Sequence, residues 1–256
     1  MCQFFSCVSN GKGKIYYFDW KQRKEFMKEN LNNYSHDSHS SICAFFNLNE
    51  DKMNKYEYNP LTNQFKIDQI NNVKDDSILI ENQMKDLDFK TIVKPLIIKK
   101  IINPFLDVEQ NKFTDEDLNC LKEWNSVVYS VRNSIRCSVW YSVRNSVWDS
   151  VRGSVVGSVW DSVVGSVWDS VGYSVENSVG YSVCDSVENS VRDSIWSVIW
   201  CYISSFFNIK YEYNFDSVIK LWERGFVPSF DGTTWRIHQG EDANIIFEIS
   251  KDELEK

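Results

Sequence analysis

The second residue of the chain is the one whose type and position most suggest covalent chemistry. Removal of Met1 would leave Cys2 with a free α-amine beside its thiol, the arrangement that N-terminal-nucleophile hydrolases and amidotransferases use. The structural alternative is that Cys2 is an ordinary strand residue in an aromatic core. The sequence favours the structural alternative, and it predicts Cys2 as the nucleophile only if the protein is an enzyme.

A compact polar cluster, His36-Asp37-Ser38-His39, offers the matching base. His39 or His36 could take the proton of the Cys2 thiol if the fold brought them together, or the two imidazoles could bind a metal. The alternative is that Asp37 or Ser38 caps a helix and the histidines are solvated neighbours. The capping role is the favoured interpretation, so no metal site and no cofactor is predicted.

Other sequence signals of catalysis are absent. The chain contains no HExxH, GxSxG, P-loop or GxGxxG motif. Its seven cysteines are an odd number without a CxxC pair, which argues against a disulfide framework and against a structural zinc site. The cysteine usage is typical of a reducing compartment.

Charge and hydropathy bound the partners. The net charge is −8, and no segment has an excess of lysine and arginine, so direct nucleic-acid binding is disfavoured. The start lacks the basic and apolar regions of a signal peptide, and the most apolar stretch, Val198 to Phe207, is half the length of a membrane span. We expect a cytoplasmic protein with no membrane segment and a protein partner; the oligomeric state stays open.

The elements that would position these residues are dominated by a four-residue repeat. From Ser126 to Ser194 every fourth residue is serine, and the residue after each serine is valine or isoleucine, in 18 copies. In an α-helix a four-residue stripe drifts by about 40° per repeat, so a long helix would have no continuous apolar face. Valine also favours strands, and Asn, Asp and Gly at the variable positions tolerate turns.

The repeat therefore predicts a mainly β protein with a tetrapeptide-repeat β-solenoid in its middle. Valine would form the inward ladder and serine a corner ladder, with about 12 residues per coil preferred and 16 or 20 possible. The predicted domains are an N-terminal α+β head (1–124), the solenoid (125–200) and a small C-terminal α+β cap (201–256).

Within the head, turn and capping signals predict a hairpin around 9–13, helices over 21–30 and 38–46, and a second hairpin over 55–68. Thr114 and Asp117 have the spacing of a capping box for a helix that ends near Trp124. In the cap, a helix over 217–224 and strands over 226–230, 235–238 and 244–249 are predicted. His238 is expected on a cap strand rather than in a site.

The outward positions of the array are rich in residue types that dominate protein interfaces. They form a candidate binding surface, with stacking among themselves as the alternative. The predicted binding residues are Trp140, Trp148, Trp160, Trp168, Arg132, Arg144 and Arg152.

Three short motifs resemble the head domain of uncharacterised phage and bacterial repeat proteins. They are Met1-Cys2-Gln3-Phe4, then Asp37-Ser38-His39 leading to Phe46-Asn47-Leu48, and then Lys55-Tyr56-Glu57-Tyr58-Asn59-Pro60. In those proteins a similar head precedes tetrapeptide or pentapeptide-like repeats. The resemblance covers roughly the first 105 residues and the presence of an array, and it implies a phage or prophage accessory protein without implying an activity.

The predicted function is a non-enzymatic binding or scaffold protein that engages a protein partner through the array. The alternatives are the Cys2 hydrolase or amidotransferase and a DNA mimic that inhibits a DNA-binding enzyme. The mimic is disfavoured because arginines dilute the acidic residues of the array, and ice binding by the serine ladder is disfavoured because no export signal is evident.

Overall fold

The structure, a computed structural model, forms an α+β protein whose described residues fall into two compact units. The first unit comprises described residues between 5 and 100 together with 164–166, and the second comprises those between 101 and 256 except 164–166. The described residues are 5–29, 38–71, 73–92, 96–131, 164–182, 188–208 and 213–256.

The first unit is built on a four-stranded antiparallel sheet of order β2-β1-β3-β4. The predicted hairpin around 9–13 is confirmed: its glycines, Gly11 and Gly13, have positive φ, and a Cβ at Gly11 would lie 2.7 Å from the Lys74 carbonyl oxygen. Only glycine fits such a position without strain. The strands are β1 (Phe5–Ser9), β2 (Ile15–Tyr16), β3 (Asn54–Asn59) and β4 (Gln64–Gln69).

Helices cover both faces of this sheet. On one face Val8 packs with Phe18, Ile42 and Cys43, which brings α2 against β1. On the other face the Phe89 ring lies 5.1 Å from Phe5. The helices of this unit are α1 (Trp20–Glu29), α2 (His39–Phe45), α3 (Ser77–Lys85) and α4 (Phe89–Ile92), with a 3₁₀ turn at Glu50–Lys52.

A single carboxylate, Asp76, ties the start of α3 to the sheet. It accepts hydrogen bonds from the Ser9 hydroxyl, the Gly13 amide (2.8 Å), the Asn54 side chain (3.1 Å) and the Tyr56 hydroxyl (2.7 Å). Burial alone would raise the pKa of Asp76, but these donors outweigh burial and hold that pKa below its ordinary value. Asp76 is therefore a structural acceptor that stays ionised.

The second unit combines a three-stranded antiparallel sheet, in the order β5-β6-β7, with a layer of helices. The Trp235 indole donates to the Asn125 side chain (2.9 Å), which fixes the sheet to α5, and Tyr202 stacks on Trp222 with ring centroids 4.8 Å apart. The elements are α5 (Asp115–Val131), α6 (Tyr173–Ser182), α7 (Glu188–Ser204), α8 (Asp216–Glu223), β5 (Val227–Phe230), β6 (Thr234–Gln239), β7 (Asn244–Ser250) and α9 (Lys251–Leu254).

The β3–β4 and β6–β7 hairpins have the same turn length and the same kind of irregularity in their edge strands. Each turn ends in a residue with positive φ, Asn63 (55°) and Ala243 (50°), and each edge strand carries one extra residue that shifts the register. A residue in the left-handed region lets a four-residue turn close a hairpin. The extra residues bend the edge strands, which hinders pairing with another chain.

The predicted mainly β solenoid is wrong over the described part of the array. Residues 125–131, 164–182 and 188–197 are helical, and no solenoid coil occurs among the described residues. Helix α5, expected to end near Trp124, continues to Val131 inside the repeat. The tetrapeptide repeat is therefore helical wherever its structure is described.

The valine stripe remains buried in a helix because the helix is not uniformly α. The repeat valines Val167, Val171, Val175 and Val179 are all at most 2% exposed. A four-residue stripe drifts forward by about 40° per repeat in an α-helix. Residues Trp168–Gly172 form a π turn, which holds more residues per turn and so moves the stripe backward. The two drifts partly cancel, so the repeat valines stay on one side of the helix.

Serine is tolerated in these helices because its hydroxyl finds a partner in the preceding turn. Ser126 donates to the Glu123 carbonyl (2.7 Å), and Ser194 donates to the Val191 carbonyl (2.7 Å). Such bonds give the hydroxyl an acceptor on the backbone of its own helix. The predicted serine corner ladder is replaced by these local bonds.

Tryptophans that follow Val167, Ile195 and Ile199 form a contact between helices. The Trp168 ring lies 5.5 Å from Trp196 and 6.4 Å from Trp200. If the helical segments were collinear, 28 residues would separate Trp168 from Trp196 by roughly 42 Å. The two helical segments therefore lie side by side, with the valine stripe directed into the core of the unit.

Candidate functional site

The candidate site is a groove between the first turn of α5 and strand β7, here named the α5–β7 groove. Its volume is about 430 Å³, within the range of small-ligand sites. Its floor is apolar and aromatic, and its rim is polar. The lining residues are Asn111, Lys112, Phe113, Thr114, Asp115, Leu118, Gln239, Ile246 and Phe247.

The extra residue of β7 shapes one wall of the groove. Ile237 pairs with Phe247 and His238 pairs with Ile245, so Ile246 has no opposite residue on β6. A bulge of this kind redirects a side chain out of the regular alternation of a strand. Ile246 is 41% exposed and lies beside the groove, where an apolar side chain gains free energy only when something covers it.

The opposite wall is fixed by a capped helix. Asp117 accepts hydrogen bonds from the Thr114 amide (2.8 Å) and the Thr114 hydroxyl (2.7 Å), which supplies the Asp117 half of the predicted capping box. The second carboxylate oxygen of Asp117 makes a 2.9 Å ion pair with Arg224, whose guanidinium lies 5.6 Å from the centre of the Phe226 ring. The start of α5 is thereby joined to the end of α8.

The segment before α5 is anchored to two neighbours. The Gln239 side chain donates to the Asn111 carbonyl (3.0 Å), and the Asn111 side chain donates to the Arg224 carbonyl (3.2 Å). Phe113 stacks on Phe247 with ring centroids 4.6 Å apart. These contacts hold the backbone of the groove in place. Binding therefore loses less conformational entropy than it would at a flexible segment.

The rim carries two charges that other described residues leave unmatched. Asp115 and Lys112 are both exposed, and no ion pair joins either of them to another described residue. Helix α5 begins with three acids, Asp115, Glu116 and Asp117, of which only Asp117 is buried. The groove is thus an apolar slot whose rim carries one ammonium group, Lys112, and one carboxylate, Asp115.

The predicted catalytic pair is not assembled among the described residues. Cys2 and His36 lie outside them. His39 is the first residue of α2, capped by Ser38, and its ring contacts the Tyr56 carbonyl (3.1 Å) and the Asp68 carboxylate (3.5 Å). Ser38 is therefore the predicted N-cap, and His39 is a buried packing residue in this arrangement.

The described cysteine thiols are held in their protonated form. Burial raises the pKa of Cys7 and Cys201 well above the ordinary value, raises that of Cys43 to about 11, and raises that of Cys120. The thiolate is the nucleophilic form of cysteine. None of these four side chains is activated for catalysis.

Most of the predicted binding residues of the array lie outside the described residues. These are Arg132, Trp140, Arg144, Trp148, Arg152 and Trp160. Trp168 is described: it packs against Trp196, Trp200 and Tyr173, and its ring lies over Gly172, where a Cβ would approach to 2.3 Å. In this position Trp168 stacks with other array residues.

A serine–histidine pair that the sequence did not single out lies in the second unit. The Ser229 hydroxyl and the His238 Nε2 are 2.7 Å apart, and the His238 Nδ1 is 3.0 Å from the Ala243 carbonyl. Both side chains are fully buried, so no substrate reaches them. Burial lowers the pKa of His238 to about 4, which keeps the imidazole neutral. His238 lies on β6, as predicted.

Two kinds of feature are absent from the described residues. They contain no cluster of His, Cys, Asp and Glu side chains suited to a metal ion. Among the same residues no helix combines the length and the hydropathy that crossing a bilayer requires.

The fold and the groove define a class: an α+β protein with a rigid, apolar surface slot and buried polar residues that serve packing. Comparison with protein-family models, curated proteins and solved structures yields no match.

Proposed function

We propose that the protein is a non-enzymatic binding protein that engages a protein partner through the α5–β7 groove. The observation that carries the proposal is Ile246, an apolar side chain turned outward by a bulge beside an aromatic floor. Exposed apolar surface rimmed by polar residues is typical of interaction sites. Rigid aromatic floors supply much of the binding energy at such sites.

The occupant is an extended peptide segment of the partner. The groove opens beside Ile246 and Phe247 of β7, and the exposed side chains of Thr114 and Asp115 line it opposite them. An apolar side chain of the segment would fill the space between Ile246 and Phe113. In agreement with the resemblance noted above, we place this activity in a phage or prophage accessory protein of the host cytoplasm.

A displayed library of random heptapeptides tests the proposal. Panning against the intact protein should enrich peptides that share an apolar anchor, and Ile246→Lys should abolish their binding because it places a charge in the apolar wall. The matched control is Ile78→Lys, which changes an isoleucine 78% exposed on α3 of the other unit. Peptides that bind the Ile246→Lys variant as well as the parent would refute the groove as the site.

The hydrolase based on Cys2 and the DNA mimic stay predictions from the sequence. Neither gains support from the described residues, and neither is carried further.

A further inference from the structure

Next to the α5–β7 groove lies a second aromatic and acidic position, which Arg224 of the same chain occupies. The guanidinium of Arg224, at the end of α8, lies over the Phe226 ring and pairs with Asp117 in the first turn of α5. An arginine stacked on an aromatic face and held by a carboxylate combines cation–π attraction with an ion pair. The protein thus fills one such position with its own side chain.

The aromatic rings continue from that position into the groove. Phe226 contacts Phe113 edge-on at 5.4 Å, and Phe113 stacks on Phe247 at 4.6 Å. Phe113 and Phe247 are only partly buried, so ring surface remains open to the groove. Asp115 lines the same groove, two residues before Asp117 on the same helical turn.

The groove therefore repeats the arrangement without its arginine. It has an aromatic surface at Phe113 and Phe247 and an exposed carboxylate at Asp115, and no described residue makes an ion pair with that carboxylate. The positive end of the α5 dipole opposes a cation here, but it amounts to about half a charge. Asp115 and Glu116, the two acids of this turn that Arg224 does not pair with, outweigh it.

We infer that the partner segment presents an arginine side chain to the α5–β7 groove, packed against the open surface of the Phe113–Phe247 ring pair and paired with Asp115. This inference rests on the proposed function, because it names the chemistry of the occupant of that same groove. An apolar residue beside the arginine covers Ile246. Lysine would bind more weakly, since a compact ammonium lacks the planar surface that stacks on a ring.

Two synthetic tripeptides, acetyl-Leu-Arg-Leu-amide and acetyl-Leu-citrulline-Leu-amide, test the inference on the full-length protein. Citrulline keeps the size and planarity of arginine without its charge. Binding is followed by two-dimensional amide NMR, at the resonances of Ile246 and Phe247. We expect the arginine peptide to bind about three- to fivefold more tightly, since an exposed ion pair contributes little more than that.

Substitutions at the start of α5 give the second arm of the test. Asp115→Asn should remove the preference for arginine over citrulline, and raised ionic strength should weaken it. Glu116→Gln is the matched control, because it removes one charge from the same turn outside the groove lining, and it should keep the preference. Neither substitution touches the Asp117 cap.

The outcomes separate the two proposals. If both peptides shift the groove resonances equally, and Ile246→Lys abolishes both, the groove is a binding site and the arginine inference is wrong. If neither peptide shifts those resonances, or if Ile246→Lys has no effect, both proposals fail. A preference for arginine that survives Asp115→Asn would also overturn the assigned ion pair.

Discussion

Two glycines of the repeat should respond in opposite ways to one added methyl group. Gly172 lies beneath the Trp168 ring, and a Cβ there would come within 2.3 Å of one ring carbon and 2.8 Å of another. Gly165 is also helical, but a Cβ there meets nothing within 4 Å. Comparing alanine substitutions at Gly172 and Gly165 separates the effect of packing on stability from the effect of helix propensity.

The magnitudes follow from the surroundings. In Gly172→Ala the indole must move against Trp196, Trp200 and Tyr173, which it contacts, and such overpacking costs about 1–3 kcal/mol. Alanine returns up to about 1 kcal/mol of helix propensity. We therefore expect the free energy of unfolding to fall by about 1–2 kcal/mol in Gly172→Ala and to rise by about 0.5–1 kcal/mol in Gly165→Ala.

Urea unfolding followed by tryptophan fluorescence measures both changes, and hydrogen exchange of peptides from 164–200 shows where they act. Trp168→Leu supplies the control: combined with Gly172→Ala, it should remove most of the penalty, because the smaller side chain leaves room for the methyl group. The reasoning would be refuted if Gly172→Ala were as stable as the parent. A loss of stability in Gly165→Ala would contradict the helical assignment itself.

Two further predictions concern buried polar residues, and two concern the groove. Burial lowers the pKa of His238 from 6.5 to about 4, so its contribution to stability is complete above pH 6.5 and is lost as pH falls to 4. The loss should be about 3 kcal/mol by thermal unfolding across that range, and His238→Gln should flatten it; a parent protein equally stable at both pH values would contradict the burial. Asp76→Asn should cost about 2 kcal/mol, because an amide group then faces donors that need an acceptor, whereas the exposed neighbour in Asp75→Asn should cost little; equal unfolding midpoints would exclude the Asp76 network. In the groove, Ile246→Lys should abolish the binding of selected peptides, and Asp115→Asn should remove the preference for arginine.

Local signals in the sequence predicted much of what lies outside the array. The Gly11 and Gly13 turn, the Ser38 cap, the Thr114–Asp117 pair and the strand that carries His238 are all confirmed. Each depends on residues within a few positions of one another, which is the range over which capping and turn chemistry act.

The groove could not be predicted in the same way. It joins a bulge at Ile246 to the first turn of α5, over 100 residues earlier, through contacts such as the Phe113–Phe247 stack. A bulge follows from how two strands fit together and has no reliable pattern along one strand. Asp115 carries no signal of a site in the sequence, because Ile246 and Phe247, which line the groove with it, lie over 100 residues further along the chain.

The error over the array has a specific physical origin. The drift of a four-residue stripe excludes a buried face only if every turn of the helix is α, and the π turn at Trp168–Gly172 breaks that assumption. The stripe continues past the last repeat: Val191, Ile195, Ile199 and Ile203 are all at most 1% exposed in α7. A buried valine every fourth residue is therefore compatible with helices that are short or that include π turns. Gly172 also makes room for the Trp168 ring, so two variable positions of the repeat, 168 and 172, fix how this repeat helix packs against α7.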